Sequence, residues 1–340
     1  MLFKIAKETP DKELLILGFV ITNSEMYKKL RDAWNKQLTN KQNYLGRSVE
    51  ETKKITSDML GGELILIDPK NVNSDILGRI RVRTPMGMVY SKKQKTLFIG
   101  SDHVVHGISC GRITQTINNR LFNCIHSLHE TISGNLLVVS TGIDAIIEIN
   151  LSKLDELVYT WLATKNGYTK SANGNTRIIN QNINYQWIEY ATPEHTTHVN
   201  SVVELNEKYL LATFFHQGYL VKINKLSGEV KIILSGLKQP HNIRKTSFGY
   251  LLSDTNGPCV IKINNKLEVI DKIEGNFNWI QDSIELKDGN IVIADSNNGR
   301  VVIVNASGRQ IDELNYGGNK KRIGVLNVVK AKEALHIFNS

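Results

Sequence analysis

His126, Asn200 and His241 stand at matching places in a chain that repeats itself, and His198 lies two residues before Asn200. Imidazole nitrogen serves near neutral pH as a general base or a metal ligand. Two or three imidazoles with an amide, brought to one point, have the composition of a site for a divalent metal ion, whether zinc, iron or manganese. Such an ion activates water or polarises a substrate oxygen. Arg244, three residues after His241, is placed to hold an anionic group, and Tyr190, in a long polar segment, to act as a general acid. Asp254 and Asp295 close apolar strands and read as outer acceptors that fix histidine tautomers. His103, His106, His129, His195, His216 and His336 lack a matching position and read as surface or structural residues.

The matching places come from a repeat. "GLKQPHNIRKTSFGYLLSDTNGPCVIKIN" (236–264) and "WIQDSIELKDGNIVIADSNNGRVVIVN" (279–305) share an alternating start, a Gly turn, an apolar strand ending in Asp, a second Gly turn and a β-branched strand. "HVNSVVELNEKYLLATFFHQGYLVKIN" (198–224) and "IHSLHETISGNLLVVSTGIDAIIEIN" (125–150) fit the template, and "MGMVYSKKQKTLFIGSDHVVHGI" (86–108) fits it more loosely. Aligned on the second strand, His126, Asn200, His241 and Gln281 fall at one position, at steps of 74, 41 and 40 residues. A period near forty with about four short strands per unit predicts an all-β fold, a β-propeller whose units bury their faces only by stacking in a ring. The first strand of each unit would then line the axis and bring the matching residues together.

Five repeats begin near 86, 125, 199, 240 and 280, and "IGVLNVVKAKEALHIFNS" (323–340) reads as two strands of a sixth. "GELILIDPK" (62–70) and "ILGRIRVRT" (76–84) would complete that blade, so N- and C-terminal strands close the ring together. Six blades is the expectation. Seven is the alternative, because "ELLILGFVI" (13–21) is strand-like and without an assigned place. "SEMYKKLRDAWNKQL" (24–38) carries Met26, Leu30, Trp34 and Leu38 at helical spacing after Ser24, which predicts an amphipathic helix. The long step leaves an insertion over 165–196, rich in Asn, Gly and Thr and holding Arg177, Tyr185 and Tyr190, placed to cover one face of the ring.

The endings "SDTNG" and "ADSNNG" resemble the NHL-type propeller repeat over roughly 85–340. "Met86-Gly87" after Pro85, "Ile125-His126", "His198-Val199-Asn200" and "Pro240-His241" resemble the ordered motifs of an uncharacterised bacterial propeller family, with departures at Ser201 and Ile243. A more distant likeness is to the peptidylglycine amidating lyase propeller, which implies metal binding at His126 and His241, with Asn200 where a third histidine is expected. The streptogramin-type lyase propeller also uses axial histidines. These resemblances imply a metal-dependent lyase or hydrolase acting on a small anionic or peptide-like substrate.

Composition bounds the alternatives. The 340 residues include 42 Lys and Arg against 33 Asp and Glu, a net charge of +9, and 41% are hydrophobic, as in an ordinary globular protein. The basic residues are scattered, which favours anionic ligands without making a nucleic-acid stripe. An NHL-like module binding RNA or protein is therefore the disfavoured second reading. Three cysteines without a Cys-x-x-Cys pair argue against a disulfide framework and for a reducing compartment, so a cytoplasmic protein is expected, a monomer or weak homo-oligomer. The apolar run at 14–21 is too short to span a bilayer, and no membrane role is expected. No phosphate-binding loop and no His-Glu-x-x-His occurs.

Overall fold

The second strands of the repeats are continuous apolar runs because both of their faces are buried. Along Leu136–Ser140, Leu136 and Val138 point into one core while Leu137 and Val139 point into the next, as the two-residue period of a strand requires. Leu251 and Leu252 divide in the same way. Each sheet is thus a partition between two cores, and six such cores fill the spaces between neighbouring sheets.

The computed structural model describes residues 1–23, 25–26, 28–29, 47–48, 57–73, 75–153, 156–316 and 321–339. It is a six-bladed β-propeller of four-stranded antiparallel sheets. The innermost strands are Pro85–Ser91, Ile125–Glu130, Val199–Asn206, Pro240–Lys245, Ile280–Glu285 and Arg322–Lys330, opening blades one to six in that order. Each touches the innermost strand of the next blade, and the sixth returns to the first.

Blade six settles the count and corrects the reading of its parts. Its order is Arg322–Lys330, Glu13–Ile21, Glu63–Ile67 and Gly78–Arg81, so the strand at 13–21 takes the second place. Residues Ala331–Phe338 form a helix and not the expected strand. Ala331, Ala334 and Ile337 recur on one face and enter the core beside Leu2 and Ala6 of a helix at Leu2–Glu8, and Glu333 accepts the Lys330 amide at the helix start. The helix expected over 24–38 lies, but for residues 25–26 and 28–29, outside the described residues.

One device recurs at the start of all six innermost strands. Met86, His126, Asn200, His241, Gln281 and Gly324 each lie within a β-bulge, where strand pairing passes over one extra residue. A bulge leaves its extra residue outside the ladder and re-aims the side chain. In five blades a left-handed residue stands two places earlier: Thr84, Cys124, His198, Gln239 and Trp279, with φ between 36° and 67°. Residues other than glycine adopt this conformation only under constraint from their surroundings. The crowding at the axis also explains the Met86-Gly87 motif, since a Cβ on Gly87 would come within 2.8 Å of the Ser127 backbone in blade two.

Candidate functional site

The bulges bring the matching residues to one face of the ring, where His126 and His241 are prepared alike. His126 Nδ1 lies 3.0 Å from the Cys124 carbonyl, and His241 Nδ1 lies 3.2 Å from the Gln239 carbonyl, in each case that of the left-handed residue two places before. An oxygen acceptor at Nδ1 puts the proton there and leaves Nε2 as the basic nitrogen. Thr255 repeats the instruction at His241: its hydroxyl donates to the Ile280 carbonyl and so accepts from His241 Nδ1 at 2.7 Å. Ser201 and Thr213 donate to the His241 carbonyl at 2.7 and 2.6 Å, which fixes the backbone beneath the ring.

His198 joins from its left-handed position, where the turn and not strand alternation aims its side chain. Its ring centroid lies 5.2 Å from that of His126, 4.8 Å from His195 and 5.5 Å from His216. His195 and His198 stack at 15° and share a hydrogen bond between their Nδ1 atoms at 2.6 Å. His216 Nε2 lies 2.9 Å from the Thr192 carbonyl. Phe215 bridges His198 and His241, with ring centroids 4.8 and 5.3 Å away, and Trp279 stands 5.4 Å beyond His241. His195 and His216 therefore belong to the cluster, contrary to their reading as isolated residues. The sequence held one signal for this, the clustering of His195, His198 and His216 around the start of blade three.

Burial lowers the pKa of all five imidazoles, and their mutual repulsion as cations adds to it for His126's neighbours. His195 and His241 are brought down to about 3, and His198 well below the ordinary histidine value. His126 and His216 are lowered as well. Arg322 contributes to the lowering at His241, which places a guanidinium within electrostatic reach of the site. The Cys124 thiol beside His126 is pushed up to about 12 by burial and is no nucleophile at neutral pH.

The insertion approaches this face as a tied segment. Asn123 Nδ2 donates to the carbonyls of Tyr185 and Ile188, and the Tyr185 amide donates to the Arg120 carbonyl. Tyr185 itself is spent in the core between blades one and two, its hydroxyl accepting the Asn180 amide. Tyr190 lies under Arg177, whose guanidinium carbon is 4.3 Å from the ring centroid, and burial raises its phenol pKa. Its ring neighbours are Arg177 and, at 6.5 Å between centroids, Tyr185, and its part as a general acid stays an expectation.

Three other expected roles meet a different geometry. Arg244 is committed to Asp282, with Nε and Nη2 at 3.0 and 2.5 Å from the two carboxylate oxygens, and also to the Leu326 carbonyl. Such a bidentate pair braces blades four, five and six and leaves little of the guanidinium for a substrate. Asp254 and Asp295 accept the amides of Lys238 and Asn278, each three residues before a ring position. They fix the lead-in turns, and carbonyls fix the tautomers. Asn200 donates from Nδ2 to the Pro240 carbonyl, leaving a buried Oδ1 without a protein partner.

As a cation site the cluster fits in kind and not in arrangement. Neutral imidazoles with Nδ1 held by carbonyls are what transition metals take, and the Asn200 Oδ1 is a further weak donor. Among the described residues, however, no three His, Cys, Asp or Glu side chains stand close enough to hold one ion.

No family model matches the chain, and no curated protein matches it. Among solved structures, the chain is similar to a protein of unknown function from Bacteroides caccae, at 13% identity over 78% of this chain and 94% of that one, with a TM-score of 0.56. It is also similar to a chain of the nidogen/laminin complex, at 8% identity over 94% and 99%, with a TM-score of 0.58. Virginiamycin B lyase from Staphylococcus aureus aligns at 12% identity over 73% and 86%, and its TM-score of 0.46 carries no weight. The first two likenesses show the propeller fold alone.

Proposed function

We propose that the histidine face is the active site of a lyase or hydrolase acting on a small anionic or peptide-like molecule, with His126 and His241 as its acid–base pair. The observation that carries this is the preparation of both side chains: each sits in a bulge, with Nδ1 held by a carbonyl two residues back and Nε2 left basic. Burial keeps His241 a weak base in the free protein, and the field of Arg322 keeps it weaker. A substrate anion beside it favours the imidazolium and so strengthens the base on binding. His241 would then take a proton from the substrate or from an attacking water, with Thr255 and the Gln239 carbonyl steadying the charged ring. Phe215 and Trp279 form an apolar wall for the rest of the molecule.

A divalent ion held by His126, His198, His241 and Asn200 is the second reading, favoured by the carbonyl-fixed tautomers and by the unpartnered Asn200 Oδ1.

One experiment addresses both. Thermal unfolding is followed against a panel of dicarboxylates, phosphate esters and N-acyl amino acids, with and without zinc, manganese or ferrous ion, in the native protein and in His126→Gln and His241→Gln. A rise in midpoint with an anion, lost in both variants, is the expected result. Stabilisation by the metal alone would favour the second reading. No stabilisation by any anion or metal, together with steeply salt-dependent RNA binding, would overturn both in favour of a binding module.

A further inference from the structure

The insertion was expected to lie over the ring as a cover, yet its buried arginine points down into the frame. Arg177 Nη1 donates to Asp144 Oδ2 at 2.7 Å and Nη2 to the Gly142 carbonyl at 2.5 Å, in the turn that ends the second strand of blade two. Asp144 is fully buried and faces the histidine segment with both oxygens. Oδ1 accepts the Thr197 and His198 amides at 3.0 and 2.6 Å and the Thr197 hydroxyl at 3.0 Å, and Oδ2 accepts the Thr196 amide at 2.8 Å. Three consecutive amides converging on one carboxylate form a nest, and it is the nest that bends the chain into the left-handed turn at His198. A carboxylate so deep requires a partner charge, and the insertion brings it.

We infer that Arg177 and Asp144 are positioning residues for the His195–His198 pair, so that the insertion is a fixed arm of the site and not a lid. The chain of support runs from Arg177 through Asp144 to the amides of 196–198, and from the backbone turn to the two stacked imidazoles. Asn123 and Arg120 tie the same arm to blades one and two, which holds the guanidinium in place from behind. The cluster therefore depends on two parts of the chain: ring positions fixed by bulges, and the His195–His198 pair hung from a buried ion pair. The functional meaning of this arm rests on the reading of the face as a catalytic site, whereas its structure does not.

The test needs no substrate, so its failure is distinct from failure of the proposed reaction. Amide hydrogen exchange and long-range nitrogen–proton spectra of the imidazoles are recorded for the native protein, Arg177→Met and Arg177→Lys. In the native protein the amides of Thr196, Thr197 and His198 should exchange at least about a hundredfold slower than open-loop amides. In Arg177→Met they should exchange at least about tenfold faster, and the far-downfield proton shared by His195 and His198 should vanish. The tautomer of His241 and the exchange of blade five should stay as they were. Arg177→Lys should restore part of the protection, because an ammonium reaches Asp144 but cannot also bridge to Gly142. Fast exchange at 196–198 in the native protein would overturn the inference, as would an unchanged His195–His198 signal in Arg177→Met. Equal acceleration in every blade would assign Arg177 to global stability instead. If Arg177→Met does not fold, Arg177→Lys decides by the same local signals.

Discussion

Blades four and five are built to one plan, and only one of them carries a histidine at its ring position. In both, a left-handed residue precedes the ring position by two places, with φ of 62° at Gln239 and 67° at Trp279. In both, an aspartate ending the second strand accepts the amide of the residue three places before the ring position, at 2.7 Å. A hydroxyl just after that aspartate, Thr255 or Ser296, donates to the carbonyl that opens the next blade, Ile280 or Ile323. Yet the ring residue is His241 in one and Gln281 in the other, and the Gln281 side-chain oxygen Oε1 is consumed by Trp279 Nε1, which donates to it at 2.9 Å. The scaffold thus places a side chain at the axis without prescribing it. Where that side chain is a histidine whose second nitrogen is left basic, folding alone does not account for the choice.

The sharpest way to break the comparison is one residue further on, where blade five has Asp282 and blade four Asn242. Asp282 is fully buried, binds Arg244 bidentately and accepts the Leu326 amide, so Asp282→Ala should cost about 3–5 kcal/mol in denaturant unfolding by stranding a guanidinium. Asn242→Ala removes one donor to the Gln281 carbonyl and should cost about 1 kcal/mol. Comparable losses at the two sites would refute the division between frame and site.

Exchanging the ring residues tests the same division from the side of chemistry. His241→Gln should leave stability within about 1 kcal/mol while lowering turnover of a responding substrate by about 10²–10⁴-fold. Gln281→His should alter neither by more than about twofold in rate or about 1 kcal/mol in stability. A kinetically silent His241→Gln would remove His241 from the chemistry.

Acid should act through blades two to four and spare blade five, which has no histidine at its ring position. His195 and His241 have folded-state pKa values near 3 and unfolded values near 6.5, so between those limits the unfolded chain binds more protons. Stability therefore falls as the pH drops from about 6.5 to about 3, by about 1.4 kcal/mol per pH unit for each such histidine. His241→Gln should take one proton out of that slope, and an unchanged slope in calorimetry would count against a buried neutral imidazole.

The mildest pair of substitutions is at the stitching hydroxyls. Thr255→Val should cost about 1–2 kcal/mol and shift the tautomer signal of His241. Ser296→Ala should cost about 1 kcal/mol and leave the imidazoles unmoved.

The ring was legible in the sequence because each blade is a local unit: its Gly turns, Asp-ended strands and period-two apolar residues lie within about forty positions of one another. The alignment of His126, Asn200, His241 and Gln281 followed from that regularity. Blade six was harder, since its second strand, Glu13–Ile21, lies some three hundred residues from its first, and nothing in either segment announces the other. His195 was missed because it stands outside the repeat, beside a turn hung on Asp144, a residue from another blade, and His216 because it sits in the turn after the second strand of blade three, away from the aligned position. Arg244 was misjudged for a related reason: its partner Asp282 is one blade away, and a pattern within one blade shows no ion pair between two.

The seam in blade six has a mechanical side. Glu13 pairs with Lys330 at one end of the two strands and Ile21 with Arg322 at the other. The helices at 2–8 and 331–338 both lie beyond the Glu13–Lys330 end and pack on each other. A force applied across residues 2 and 338 would part those helices first and then open the strand pair one hydrogen-bonded step at a time, like a zipper. None of the other five sheets would be loaded until the seam had given way. The ring should therefore yield to tension in two stages, a low-force opening of blade six and then the rupture of the remaining arc.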